Sequence, residues 1–223
     1  MVTRRPLIPS RGGGSVPVIV GHRRAMDNPF GPGRSGCEHG AMVVRAARDG
    51  DERDLAVVRV RGWQQGYDGL IDASFLAAMS IEESTVRWAG ILEQQTGLRR
   101  TLVIETVGGA KVVGYCSFGR YRLSPGDDKT MDIGELAEPG TVGEVYGFYL
   151  HPDHWGTGAA QELMDESISA LINDGWPEAR LWVLGANTRA RRFYERNDWS
   201  ADGGRQPLAI IGRPMEVRYR RAL

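Results

Sequence analysis

The sequence is poor in the residues that mark several large classes of protein. Its only two cysteines in 223 residues, Cys37 and Cys116, lie far apart in the chain. That argues against a disulfide-stapled scaffold and makes a reducing, cytoplasmic setting the default expectation. No stretch approaches the roughly 18 uncharged apolar residues of a membrane-spanning helix. The early apolar run VPVIV is too short for a secretion signal, and Arg11, Gly12, Gly13 and Gly14 interrupt what precedes it. Net charge is also missing: 28 basic residues face 28 acidic ones. A neutral chain lacks the clustered cations that bind phosphate backbones, so neither nucleic acid nor membrane is expected as a partner. What remains is a chain long enough for one medium domain with an extension, or for two small domains, and for a core of its own.

The neutral sum is an average over unlike parts. Residues 1–41 carry six arginines against Asp27 and Glu38, a net charge of +4, which leaves residues 42–223 at −4. The first part is rich in Gly and Pro and has no sustained period, so it cannot bury enough apolar surface to offset chain entropy. It is expected to be a disordered basic extension or a start assigned too far upstream, with the domain occupying 42–223. Cys37 and His39 within it are too few for a zinc site.

From Met42 the punctuation is regular. Val43–Ala46 reads as a short strand, and Asp49, Gly50 and Asp51 supply turn and N-cap chemistry for a helix carrying Leu55, Val58 and Gly62 on one face. An aromatic segment broken by Gly66 and Gly69 follows. Ser80 and Glu83 form a capping-box pattern before a second helix, with Trp88, Ile91 and Leu92 at helical spacing until Gly97. TLVIETV and AKVVGYCSF around Gly108 and Gly109 predict a hairpin with a two-residue turn. A loop to Gly143 holds Asp127, Asp128, Asp132, Glu135 and Glu138. Then EVYGFYL predicts a strand that alternates its faces. A helix follows with Ala160, Leu163, Met164, Ile168, Leu171 and Ile172 on one side, ended by Gly175.

A Gly-containing turn thus lies between a strand and a helix N-terminus. Small residues let a ligand approach the backbone, unpaired N–H groups point outward and the helix dipole favours negative charge, so a pyrophosphate is its natural occupant. A P-loop reading needs a Gly-Lys step before Ser or Thr, and the chain has only Lys111 and Lys129. A dinucleotide-binding reading needs a third glycine where Gln161 stands.

Trp155-Gly156-Thr157-Gly158-Ala159-Ala160 resembles the acetyl-CoA turn of the GCN5-related N-acetyltransferase (GNAT) family, with Trp155 where the family usually has Arg or Gln. Downstream, Asn187 to Trp199 resembles the family's NxxAxxFYExxGF segment, with Asp198 and Trp199 in place of Gly and Phe. The similarity runs from about Val43 to the C-terminus. It implies an α/β (α+β) fold, a mixed, mostly antiparallel central sheet flanked by helices. It also implies acetyl-CoA as acyl donor, an amine acceptor, no metal, and a homodimer as one assembly.

The resemblance implies site residues as well. Phe148, Tyr149 and Leu150 would offer a strand edge to the pantetheine arm, a backbone N–H near Leu150 would serve as oxyanion donor, and Gly156, Thr157, Gly158, Ala159, Ala160 and Gln161 would meet the pyrophosphate. Asn187 would meet the arm, and Tyr194, seven residues on and on the same helix face, would be the general acid, unless it is simply a packed aromatic. Glu144 is either a base, directly or through a water with Tyr146 on its face, or a surface glutamate at a strand edge. Trp63 and Tyr67 either wall the acceptor pocket or belong to the core. His151 and His154 lack a third ligand for a metal. The acidic body, including Asp68 and Asp72, predicts a cationic acceptor. The other function class is a non-catalytic acyl-CoA-binding module.

Overall fold

The computed structural model describes residues 41–95, 99–122 and 142–223. The basic extension over 1–40, the acidic loop residues Asp127, Asp128, Asp132, Glu135 and Glu138, and Gly97 lie outside the described residues. The elements run β1 (Met42–Ala46), α1 (Glu52–Gly66), α2 (Ala73–Ala77), α3 (Ile81–Glu93), β2 (Arg99–Thr106), β3 (Val112–Arg120) and β4 (Gly143–Leu150). They continue with α4 (Ala159–Asn173), β5 (Glu178–Leu184), α5 (Thr188–Arg196), β6 (Ser200–Pro207) and β7 (Met215–Ala222). Seven strands form one sheet in the order β1-β2-β3-β4-β5-β7-β6, antiparallel except for β4 against β5. Among the described residues, no helix is long and apolar enough to cross a membrane.

Two apolar layers sandwich the sheet. On one face α4 and α5 bury Leu163, Met164, Leu171 and Phe193 against Val145, Phe148 and Leu150. On the other, α1 and α3 bury Leu55, Val58, Trp63 and Trp88 against Val103, Tyr115 and Tyr149. Being covered on both sides, β4 is buried along nearly its whole length instead of alternating as predicted. It also carries one extra residue. Ser117 pairs with Gly147 but Phe118 pairs with Val145, so Tyr146 bulges out of the ladder. Val145 and Phe148 consequently face α4 and α5 together, while Tyr149 faces α1.

Several local expectations are corrected. Asp51 precedes α1 without capping it: Arg45 takes its carboxylate at 2.7 and 2.9 Å and the Arg48 amide donates to it at 2.9 Å. The β2–β3 link is five residues, 107–111, because positive φ falls at Gly108 and Ala110 and not at two consecutive central positions as a two-residue turn requires. Ile172 is half exposed, in the last turn of α4, and Ser167 instead joins the buried stripe by donating to the Leu163 carbonyl. Ser80 does cap α3, accepting from the Glu83 amide at 3.2 Å.

The departures at 198 and 199 leave the end of α5 intact. Asp198 takes the left-handed conformation (φ 63°) that the family's glycine would favour, and the Trp199 amide donates back to the Tyr194 carbonyl at 3.1 Å. Burial of the Trp199 ring beside Tyr194, 6.0 Å between centroids, anchors that turn. The Asp198 side chain makes a 3.7 Å pair with Arg221, and Asp198 is 87% exposed, so the pair contributes little. Asp198→Gly is therefore expected to stabilise the fold by about 0.5–1 kcal/mol, read from urea unfolding, through relief of left-handed strain.

Candidate active site

Only Gly143, Glu144 and Val145 of β4 pair with β5, opposite Ala179, Arg180 and Leu181. Beyond them the strands part, and the β4 edge from Tyr146 to Leu150 has no partner in β5. Antiparallel β3 holds the other edge of β4, and β7 pairs along all of β5, so the gap lies inside the sheet. Two surface depressions flank the C-terminal ends of the diverging strands. One of about 390 Å³ is lined by Arg61, Asp68, His151 and Pro152, and one of about 340 Å³ by Leu184, Gly185, Arg191 and Met215. Asp68 thus faces a concavity, whereas Asp72 caps α2, accepting from the Phe75 amide at 3.0 Å and from the Ser74 hydroxyl.

The turn after β4 opens the N-terminus of α4. Gly156 and Gly158 have φ of 78° and 95°, and Gly158 is the N-cap without a side chain to satisfy the helix. The amides of Gly156, Thr157, Gly158 and Ala160 have no acceptor among the described residues. Two of the predicted contacts are already engaged: the Gln161 amide donates to the Gly158 carbonyl at 2.9 Å and the Ala159 amide weakly to the Thr157 hydroxyl at 3.4 Å. The Gln161 side chain is likewise tied to Asp165 and Asn197. An anion here would meet four outward amides and the positive end of a 15-residue helix.

Trp155 lies beside this turn and packs against both apolar layers. Its indole N–H donates to the Leu150 carbonyl at 3.1 Å, and the Arg189 guanidinium stacks 3.9 Å above its ring. Arg191 is turned elsewhere, to the Tyr219 hydroxyl and the Gly185 carbonyl. Asn187 is buried and spends its side-chain oxygen on capping α5, through the Ala190 amide at 3.0 Å. His151 accepts weakly from the Asp153 amide at 3.4 Å. Among the described residues, no group of three or more His, Cys, Asp or Glu is arranged to hold a metal.

Tyr194 is fully buried between Phe193, Trp199 and Tyr219, yet its hydroxyl has no hydrogen-bond partner. Burial, reinforced by nearby Cys116 and Tyr149, holds its pKa well above the phenol range, so the proton stays on oxygen at neutral pH. Trp63 and Tyr67 are buried edge to face at 4.9 Å, and the Trp63 indole N–H and the hydroxyls of Tyr67 and Tyr149 cluster together without a well-formed hydrogen bond among them. A finished core would pair such groups. The side chains on which the sequence left pocket and core open are therefore buried, with polar atoms that the core does not fully satisfy.

Glu144 is not a surface residue: it is fully buried. Its carboxylate accepts from the Arg122 side chain at 2.6 and 3.2 Å and from the Arg122 amide at 2.8 Å. Burial alone would lower the Arg122 pKa, and the charge and hydrogen bonds of Glu144 more than offset it. Tyr146 stacks under that guanidinium at 4.5 Å and donates its hydroxyl to the Arg120 carbonyl. Arg122 and Glu216, a second fully buried carboxylate, were missed in the sequence. In MEVRY, Glu216 alternates with Met215 and Val217 and reads as the wet side of an edge strand.

The family profile described as the acetyltransferase (GNAT) family matches residues 70–199. The chain belongs to this family. An uncharacterised N-acetyltransferase from Archaeoglobus fulgidus is 35% identical over 157 residues, which cover 70% of this chain and 92% of that protein. Among solved structures, the PaiA N-acetyltransferase of Thermoplasma acidophilum in complex with coenzyme A superimposes with a TM-score of 0.57 at 16% identity, covering 82% of this chain and 99% of the other. A spermidine N-acetyltransferase chimera from Vibrio cholerae and hSSAT gives 0.54 at 17% identity, covering 81% and 94%. Both likenesses are of fold.

The Arg122–Glu144 clamp ties the start of β4 to the end of β3, and it yields a direct test. Arg122→Met leaves a buried carboxylate unpaired and should cost about 3 kcal/mol in urea unfolding, whereas Arg122→Met with Glu144→Leu should recover most of the loss.

Proposed function

We propose that this GNAT protein transfers an acetyl group from acetyl-CoA to a primary amine by direct attack within a ternary complex. The reading is supported by the parted β4 edge, which runs into the amide-rich turn at Gly156–Gly158, and by Tyr194, whose buried hydroxyl has no hydrogen-bond partner and whose ring belongs to the same apolar layer as Phe148 and Leu150. In this reading the amides of Gly156, Thr157, Gly158 and Ala160 bind the donor's pyrophosphate. The free edge of Phe148 to Leu150 takes the pantetheine arm as an added strand, with Asn187 alongside. An amide near Leu150 stabilises the oxyanion as the amine adds to the thioester carbonyl. Tyr194 gives its proton to the departing thiolate, for which a phenol kept fully protonated at neutral pH is suited.

Glu144 is one candidate base, and its triple hold on Arg122 allows it that role only through an intervening water. In this role it mainly fixes the guanidinium at the acceptor side. The acceptor is read as a cation, drawn by Asp68 and an acidic domain toward the depression beside α1.

A second reading, an acyl-CoA-binding module without chemistry, is favoured by one feature. The Trp155 indole already holds the Leu150 carbonyl that an added strand would use. Thiol release from acetyl-CoA with a panel of amines separates the two. Tyr194→Phe removes a buried, unpaired hydroxyl and should leave stability unchanged or higher. The variant is expected to lower kcat by about 10²-fold or more while CoA affinity stays within twofold. Tight CoA binding with no free thiol from any amine, in the unaltered protein and in Tyr194→Phe alike, would establish the module instead.

A further inference from the structure

Two buried carboxylates lie on the α1 face of the sheet, and only one is satisfied. Glu144 is engaged three times by Arg122. Glu216 is fully buried, its Oε2 accepts from Gln206 on β6 at 3.0 Å, and its Oε1 has no hydrogen-bond partner. In the sheet Glu216 pairs with Leu184, the last residue of β5, just where β5 has left β4. Antiparallel partners share a face, so the carboxylate lies on the side of Leu184, Tyr149 and Tyr67. Tyr67 responds electrostatically to Tyr149, Glu216 and Tyr194 together. Leu208, from the link between β6 and β7, joins the same apolar cluster and closes it over.

A buried carboxylate oxygen with no partner is costly in a finished core. The same site is satisfied once an ammonium group enters it, since an N–H then meets Oε1 and the charge is neutralised at short range. We propose that Glu216 receives the ammonium of the acceptor amine and removes its proton, serving as the catalytic base of the reaction. This inference rests on the acetyltransferase reading above.

The proton inventory closes without any further reagent. The ammonium N–H gives its proton to Glu216 Oε1, and the freed lone pair forms the C–N bond at the thioester carbonyl. The C–S bond breaks, and the thiolate takes the Tyr194 proton. The second proton on the new amide nitrogen restores the phenol, and Glu216 loses its own to solvent, so one proton is released per turnover.

The groups around Glu216 set its titration. Burial raises its pKa, the Gln206 hydrogen bond and Arg122 lower it, and Glu144 raises it, bringing it up to about 7. Tyr67, at the end of α1, stays neutral because burial holds its pKa well above the ordinary phenol value. A base of this kind is half ionised near neutral pH, where Brønsted behaviour makes it most effective. Its raised pKa also means that ionising Glu216 works against folding. That penalty is absent below about pH 4.5, where the group is protonated folded or unfolded, and is fully present above about 7.

The test is thiol release from acetyl-CoA with primary amines between pH 5 and 9, using the full chain and its Glu216→Gln and Glu216→Asp variants. For the unaltered protein kcat/KM should rise with pH through an apparent pKa near 7. Glu216→Gln should lose about 10²-fold or more in kcat/KM together with the pH limb, while CoA affinity stays within twofold and the melting temperature at pH 8 is unchanged or raised. Glu216→Asp should regain part of the rate with the limb present. A Glu216→Gln enzyme that keeps the original rate and pH profile overturns the assignment and leaves the acetyltransferase reading standing. Absence of thiol release from every amine with the unaltered protein overturns both.

Discussion

The structure turns on a gap in the middle of its own sheet. Parallel β4 and β5 share three residue pairs and then separate, leaving backbone of the central strand without a neighbour. A sheet interior ordinarily cannot bear this, because each unpaired peptide group away from water forfeits a hydrogen bond. Here both flanking pairs are long and antiparallel, so the strands are held apart by their other neighbours. Helix layers cover the sheet on each face. Part of the deficit is met internally by the Trp155 indole on the Leu150 carbonyl. The rest is the affinity the protein has to offer.

Electrostatics follow from the same geometry. The domain from Met42 is acidic overall, which would be a poor starting point for holding a polyphosphate. In the proposed reading the anion site at the start of α4 is made from peptide N–H groups and a helix end, not from a basic patch, so the acidic surface does not need to be rewritten. The buried carboxylates Glu144 and Glu216 lie on the α1 face. The proposed donor and acceptor sides thus carry opposite preferences.

Much of the fold and part of the site were legible because they depend on local chemistry. The Gly156–Gly158 turn and the capping by Ser80 are short-range patterns, and the structure keeps them. What was not legible depends on what covers what. Glu216 alternates with apolar residues as a solvent-facing side chain would, yet tertiary packing buries it fully. The strand β6, SADGGRQP, has almost no β-forming residues and exists because β7 pairs with it. Arg122 offered no local signal, since its role comes from a carboxylate 22 positions away. Asp51 went the other way: a good cap by type was claimed by Arg45 from the first strand.

The bulge at Tyr146 gives β4 a reading frame. Upstream of it, odd positions such as Val145 point toward α4; downstream, even positions such as Phe148 and Leu150 do so, and Tyr149 is released to the other layer. Parity, more than any one side chain, sorts which residues of β4 face α4 and which face α1. A substitution in this stretch changes one contact, but loss or gain of a single residue between Val145 and Phe148 would exchange the two faces wholesale. The number of residues in β4 is therefore itself a structural constraint, one of length that a comparison of residue types alone would not register.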